Sequence, residues 1–145
     1  MKRILLFASI ALVALFSNCK KDDDPTNQEL IVAKWKASKA VIGTTDVLVA
    51  TALSTTELEV TFNSNNTVTF HWINTILTTN PPSVNESDLN GTYSLDGDIL
   101  TIVVTSGADS KTVIGPVEVS DTHLHFTATS GDTSEFINLL VADKI

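Results

Sequence analysis

The sequence predicts an all-β fold, an antiparallel up-and-down meander of about eight strands closed as a barrel or, alternatively, split as a β-sandwich. Three observations carry that prediction. From Leu30 onward the chain is rich in Thr, Ser, Val, Ile and Leu, and apolar residues recur at every second position. Turn residues fall at short, regular intervals, as an antiparallel meander requires. No window of eleven or more residues holds a period of 3.6. Closure has a physical attraction, because it removes the unpaired edges that a Thr/Val-rich sheet would otherwise expose.

The first element in chain order is an address. Met1, Lys2 and Arg3 form a short basic start, and the 13 residues 4–16 are apolar apart from Ser9. As a helix that run would span about 20 Å, short of the roughly 30 Å hydrocarbon core of a bilayer. It reads as the signal helix of an exported chain, with residues 1–18 as the signal peptide. Ser17, Asn18 and Cys19 close it, and Cys19 is the only cysteine. One cysteine excludes an internal disulfide framework and a Cys-based zinc site. Phe16 to Cys19 resemble a bacterial lipobox, in which the cysteine thiol receives a diacylglycerol. The Lys20, Lys21, Asp22, Asp23 and Asp24 run resembles the Bacteroidetes form, where acids after the cysteine accompany export to the outer face of the outer membrane. The resemblance implies lipidation at Cys19 and a cell-envelope protein anchored to the outer membrane and exposed at the surface. Two or three acyl chains hold a protein firmly, since each buried CH₂ contributes roughly 0.8 kcal/mol.

Residues 19–29 follow as the lipidated cysteine and a flexible acidic tether. The stretch 20–29 has no large apolar residue to bury and includes Pro25. Fully extended it reaches about 33–36 Å. The folded domain, residues 30–145, is therefore expected close above its membrane.

Within that domain the opening strand covers residues 31–41, with Ala33, Trp35 and Ala37 inward and Lys34, Lys36 and Ser38 outward. Residues 44–53 fit either a helical turn or part of a short strand. Leu58, Val60 and Phe62 alternate with Glu57, Glu59 and Thr61, and after Ser64, Asn65 and Asn66 come Val68, Phe70 and Trp72. The Asn-rich turn tolerates positive φ, so this pair reads as an antiparallel hairpin. Residues 79–90, with Pro81 and Pro82, are the longest irregular stretch and the expected mobile loop. A strand from Gly91 to Leu95 then meets the tight turn Asp96, Gly97 and returns over residues 98–105. Residues 112–119 and 123–129 bracket the turn at Ser120 and Asp121. Gly115 and Pro116 mark a bulge or an edge there. Ser130, Gly131 and Asp132 turn into a final strand over residues 135–141.

The order of these motifs is recognisable. Ala33, Lys34, Trp35 and Lys36 open the domain; Phe62, Asn63, Ser64, Asn65, Asn66, Thr67 and Val68 form the hairpin; Gly91, Thr92 and Tyr93 begin a strand ending in Asp96, Gly97 and Asp98. Residues 117–124 lead into the last pair. This resembles the small lipocalin-like domains of Bacteroidetes lipoproteins over roughly residues 30–145. The place two residues before the tryptophan, usually glycine in lipocalins, is Ala33. The resemblance implies a barrel of about eight strands that binds a small apolar ligand.

Charge and chemistry narrow the function classes further. The 145 residues carry 9 Lys plus Arg against 17 Asp plus Glu, a net charge of −8. From Cys19 onward the balance is 7 against 17, or −10. Nothing here neutralises a run of phosphates, so nucleic acid is excluded as a partner. No Gly-x-Ser-x-Gly elbow, phosphate-cradling glycine loop or His-Glu-x-x-His helix is present. Glu57 and Glu59 face outward, where burial cannot raise their pKa for acid catalysis. His123 and His125 share a strand face and His71 points outward on its own strand; all three read as solvated histidines, not zinc ligands. The chain is therefore expected to be a monomer without catalysis, cofactor or metal.

Two roles stay open at this stage. One is a barrel holding a small apolar ligand, contacted by Trp35, Phe62, Phe70, Trp72, Tyr93 and Phe126. The other is a surface or periplasmic interaction module for protein or glycan, with a filled core. Internal volume separates them, because side chains packed to native density leave no room for a ligand.

Overall fold

The computed structural model describes residues 25–145. The apolar run 4–16, Cys19 and the charged run 20–24 lie outside the described residues. The first element is a single helical turn, α1 (Asn27–Ile31). Thr26 caps it: its side chain accepts from the Glu29 backbone N–H, and the Glu29 carboxylate accepts in return from the Thr26 N–H at 2.9 Å. This capping box satisfies donors that a helix start otherwise leaves unpaired. Residues 27–29, read from composition as tether, are thus helical although Gln28 and Glu29 remain exposed. Ile31, expected in the first strand, instead ends the helix and is fully buried.

Ten strands follow: β1 (Lys34–Ile42), β2 (Thr45–Asp46), β3 (Ser54–Phe62), β4 (Thr67–Ile76), β5 (Ser83–Asp96), β6 (Ile99–Ser106), β7 (Asp109–Val119), β8 (His123–Thr127), β9 (Ser130–Gly131) and β10 (Ile137–Lys144). All pairings are antiparallel, and β10 closes on β1, so eight strands form a barrel and not a sandwich. The two-residue strands β2 and β9 are side pairings to β1 and β7. Ala50 makes an isolated bridge to Thr55.

The expected alternation holds where the barrel wall is regular. Trp35 and Ala37 point inward between exposed lysines, but the β1–β10 register shifts between Ala37 and Lys39. This bulge carries the inward phase from Ala37 to Ala40. The β3–β4 turn works as its asparagines predict, with Asn66 at φ 63°. On β7, Gly115 and Pro116 interrupt one ladder: Val113 and Ile114 pair with β9, and pairing with β8 resumes at Val117.

The largest departure concerns residues 79–90. The expected mobile loop is a strand from Ser83 onward, paired with β4 from Ile76 opposite Ser83 to Thr67 opposite Thr92. Only the short turn around Pro81 and Pro82 remains irregular. Before Gly91, residues 83–90 of β5 pair with β4 alone, and only from Gly91 onward does the strand pair with its barrel neighbour β6. Residues 54–58, 71–76 and 83–90 thereby extend β3, β4 and β5 past the barrel wall as a three-stranded flap. Gly91 sits where the strand departs. A Cβ there would lie 2.3 Å from the Val103 carbonyl oxygen, so only glycine allows this approach.

Candidate functional site

The two ends of the barrel are built differently. At one end the Trp35 indole N–H donates to the Ile31 carbonyl at 3.0 Å, and the Phe62 N–H donates to the Ala33 carbonyl at 3.0 Å. Tyr93 donates its hydroxyl to the Asn63 carbonyl at 2.9 Å, with its ring edge-on to Phe62 at 5.0 Å. Burial pushes the Tyr93 phenol above its ordinary value. The helix, the β3–β4 turn and the C-terminus meet here, the last through the Ile145 N–H on the Lys34 carbonyl. This end is capped.

At the far end the β9–β10 connection supplies a stopper. Phe136, 5% exposed, packs edge-on against Phe70 at 5.2 Å between centroids. Its position is held by the Asp132 carbonyl, which accepts from the Glu135 and Phe136 N–H groups, and by the Asp132 carboxylate, which accepts from the Thr112 N–H at 2.7 Å. Phe136 was hidden in the sequence inside the expected last strand. Its one visible signal is an aromatic residue four positions after Asp132 of the Ser130, Gly131, Asp132 turn.

Of the six residues expected to contact a ligand, five are packed away from solvent. Trp35 and Phe70 are 0% exposed, Phe62 and Phe126 1%, and Tyr93 4%. Leu58, Val60, Leu100 and Leu124 between them are also at 0%. Accessible surface includes the walls of internal voids, so zero exposure means no water-sized space beside these side chains. The barrel axis is filled with Ile, Leu, Val and aromatic side chains. Trp72 differs: it is half-buried, on the inward phase of β4, one step beyond Phe70 toward the far end. Among the described residues, surface grooves of about 210, 370 and 440 Å³ are lined by other residues, on the β7–β8 face, beside α1 and beside the β1–β10 seam.

The far end also gathers exposed apolar side chains. Val49, Leu53, Leu77 and Val84 are 42–62% exposed, and the Leu77 N–H donates to the Leu53 carbonyl at 2.8 Å. Val49, Leu53 and Leu77 lie at the tip of the flap that carries Trp72, and Val84, opposite Thr75, is on the other face of that flap.

The charged side chains and the histidines lie on the outside. Lys34 pairs with Glu59 and Lys36 with Glu57, each at 2.6 Å across β1 and β3. His71 meets Asp88 at 2.6 Å, with Glu86 at 3.9 Å, and the Asp88 hydrogen bond raises the imidazole pKa above its ordinary 6.5. Glu86 and Asp88, which fall within the expected loop 79–90, are therefore on β5 beside a histidine. His123 pairs with Asp143, and His125 lies beside Thr127. Among the described residues no group of three or more His, Cys, Asp or Glu is placed to hold a metal ion. No helix among them is long and apolar enough to cross a membrane.

The family model of the lipocalin-like domain matches residues 31–126, more than half of the chain. No curated protein and no solved structure matches it.

Proposed function

Since the chain belongs to the lipocalin-like domain family, we propose that it is a membrane-tethered binding protein that takes a small ligand with an apolar face at the far end of its barrel. The observation that carries this reading is Trp72. It is the half-buried member of an inward aromatic set whose other members are at most 4% exposed, and Val49, Leu53 and Leu77 stand exposed at the end of its flap, with Val84 on the opposite face. Large apolar residues left in water at one place favour a contact that covers them. The filled axis directs the ligand to the mouth rather than into the barrel.

The anchor is the second half of the proposal. Acylation of Cys19 would hold the chain in the outer membrane, and the tether enters the domain through α1 at the capped end. The far end would then face away from the bilayer, toward incoming ligand. Asp22, Asp23 and Asp24 would direct surface exposure.

Binding is tested by titrating the purified protein with the apolar fluorophore N-phenyl-1-naphthylamine. Saturable fluorescence gain that is lost in Trp72→Ala supports the site, and equal gain in both proteins contradicts it. The anchor is tested by fractionating cells expressing Cys19→Ser, which should move the protein from membranes to the soluble fraction. Retention in membranes would overturn it.

The filled core also favours an interaction module for protein or glycan. In that case the covering partner of the far end is a macromolecule, and the fluorophore does not bind.

A further inference from the structure

The continuous β3–β4–β5 registers fix which side chains share a face of the flap, and successive rows can be read outward from the barrel. On the inward face, Val60, Phe70 and Leu89 lie in one row, followed by Leu58, Trp72 and Ser87. The next row is Thr56, Asn74 and Asn85, all uncharged and all solvent-accessible to some degree. Rows on one face are about 7 Å apart, two residues along a strand. The inward face therefore passes from apolar side chains to an indole and then to paired amides beside the Thr56 hydroxyl.

The opposite face of the same strands is different. There Glu59, His71 and Asp88 form one row, and Glu57, Ile73 and Glu86 the next. Every charge of the flap is on this face, tied into pairs with Lys34, Lys36 or His71. The segregation is not required for barrel packing, because residues 54–57, 73–76 and 83–87 stand beyond the buried core.

We infer that the inward face of the flap binds a neutral saccharide, its ring stacked on Trp72 and its hydroxyls hydrogen-bonded by Asn74 and Asn85. This deepens the reading of Trp72 as the ligand contact and rests on it. The chemistry matches on three counts. A pyranose presents a C–H face that gains dispersion contact with a flat indole. Its hydroxyls both donate and accept, and each Asn amide offers two donors and a carbonyl acceptor. A charge-free face suits a charge-free ligand, whereas a domain of this net acidity repels polyanionic glycans. The spacing of about 7 Å between the indole row and the amide row is close to the width of one sugar ring with its hydroxyls.

The test uses intrinsic tryptophan fluorescence of the whole purified protein. Trp35 is fully buried, so an accessible ligand changes the signal of Trp72. The protein is titrated with neutral trisaccharides based on glucose, galactose, mannose and N-acetylglucosamine, and separately with N-phenyl-1-naphthylamine. At least one trisaccharide should give a saturable change. The double variant Asn74→Ala, Asn85→Ala should bind it about tenfold more weakly, the loss expected for two hydrogen bonds, with naphthylamine affinity unchanged. Thr75→Ala, on the other face of β4, should bind both probes as the parent does. No response to any trisaccharide while naphthylamine binds overturns the saccharide inference and leaves the far-end site standing. No response to either probe overturns both. Trisaccharide binding that survives the double variant also overturns the assignment, because the amides then do not hold the sugar.

Discussion

The Trp35 indole N–H reaches back four residues to the Ile31 carbonyl, at 3.0 Å, and both residues are fully buried. One bond thereby joins the end of α1 to the start of β1 and turns the chain over the end of the barrel. The carbonyl of a helix end needs a donor when it is buried, and the indole supplies it while its rings fill the barrel end.

Replacing Trp35 tests the two contributions separately. Trp35→Ala should cost about 3–5 kcal/mol, the range for deleting a buried aromatic. Trp35→Phe keeps much of the apolar volume but leaves the Ile31 carbonyl without its donor, for a loss of about 1–3 kcal/mol plus some packing. Urea denaturation of the three proteins measures both. A Phe variant as stable as the parent would mean that the hydrogen bond contributes nothing.

Phe70 and Trp72 are two residues apart on one face, yet they should behave oppositely. Phe70 is 0% exposed and carries Phe136 against its ring, so Phe70→Ala should cost about 3–5 kcal/mol. Trp72 is half-buried, and its removal should cost clearly less while abolishing ligand contact. Thermal unfolding read beside fluorophore binding distinguishes the two. Equal destabilisation would place Trp72 in the core.

Gly91 predicts a local failure. A valine there would drive its side chain into the Val103 carbonyl and Val104, where even a Cβ comes within 2.3 Å. Gly91→Val should destabilise the domain by several kcal/mol, about the range for overpacking with backbone displacement or more. Gly97→Ala, where a Cβ meets nothing within 4 Å but the φ is +63°, should cost roughly 1 kcal/mol from strain alone. Similar losses at both sites would argue against the close approach that lets β5 leave the barrel.

The His71–Asp88 contact ties the flap strands together in a pH-dependent way. Because the folded-state pKa of His71 is raised, its stabilisation is complete below the ordinary value of 6.5 and disappears as pH rises through the raised value. The thermal midpoint of the parent should therefore fall relative to that of His71→Asn as pH is raised across this window. The side chains are exposed, so the difference should be small and should shrink in high salt. A difference independent of pH would remove the pair from the account.

Much of the barrel was readable because one alternation, apolar in and polar out, runs through Leu58, Val60, Phe62, Val68 and Phe70 without interruption. The same rule misread residues 83–90. There the inward positions Asn85 and Ser87 are polar, so a strand that continues past the core has no apolar face to announce it. Strand identity at this place comes from pairing with β4, which is a tertiary effect. Phe136 was missed for a related reason: its direction depends on the Asp132 hydrogen bonds and not on strand period. At the site, Trp72 was legible as an aromatic on the inward phase. Its exposure was not, since that depends on where the barrel ends along β4. The meeting of His71, Glu86 and Asp88 needed the β4–β5 register, which no local pattern specifies.

The central claim is that ligand contact occurs at the far-end mouth while the barrel axis stays filled. Labelling the protein with 5-fluorotryptophan gives one ¹⁹F NMR signal for each of its two tryptophans. On addition of N-phenyl-1-naphthylamine the Trp72 signal should move in a saturable way and the Trp35 signal should stay in place. Movement of the Trp35 signal with ligand would show the barrel axis opening to admit it, and an unmoved Trp72 signal would show that the mouth is not the site.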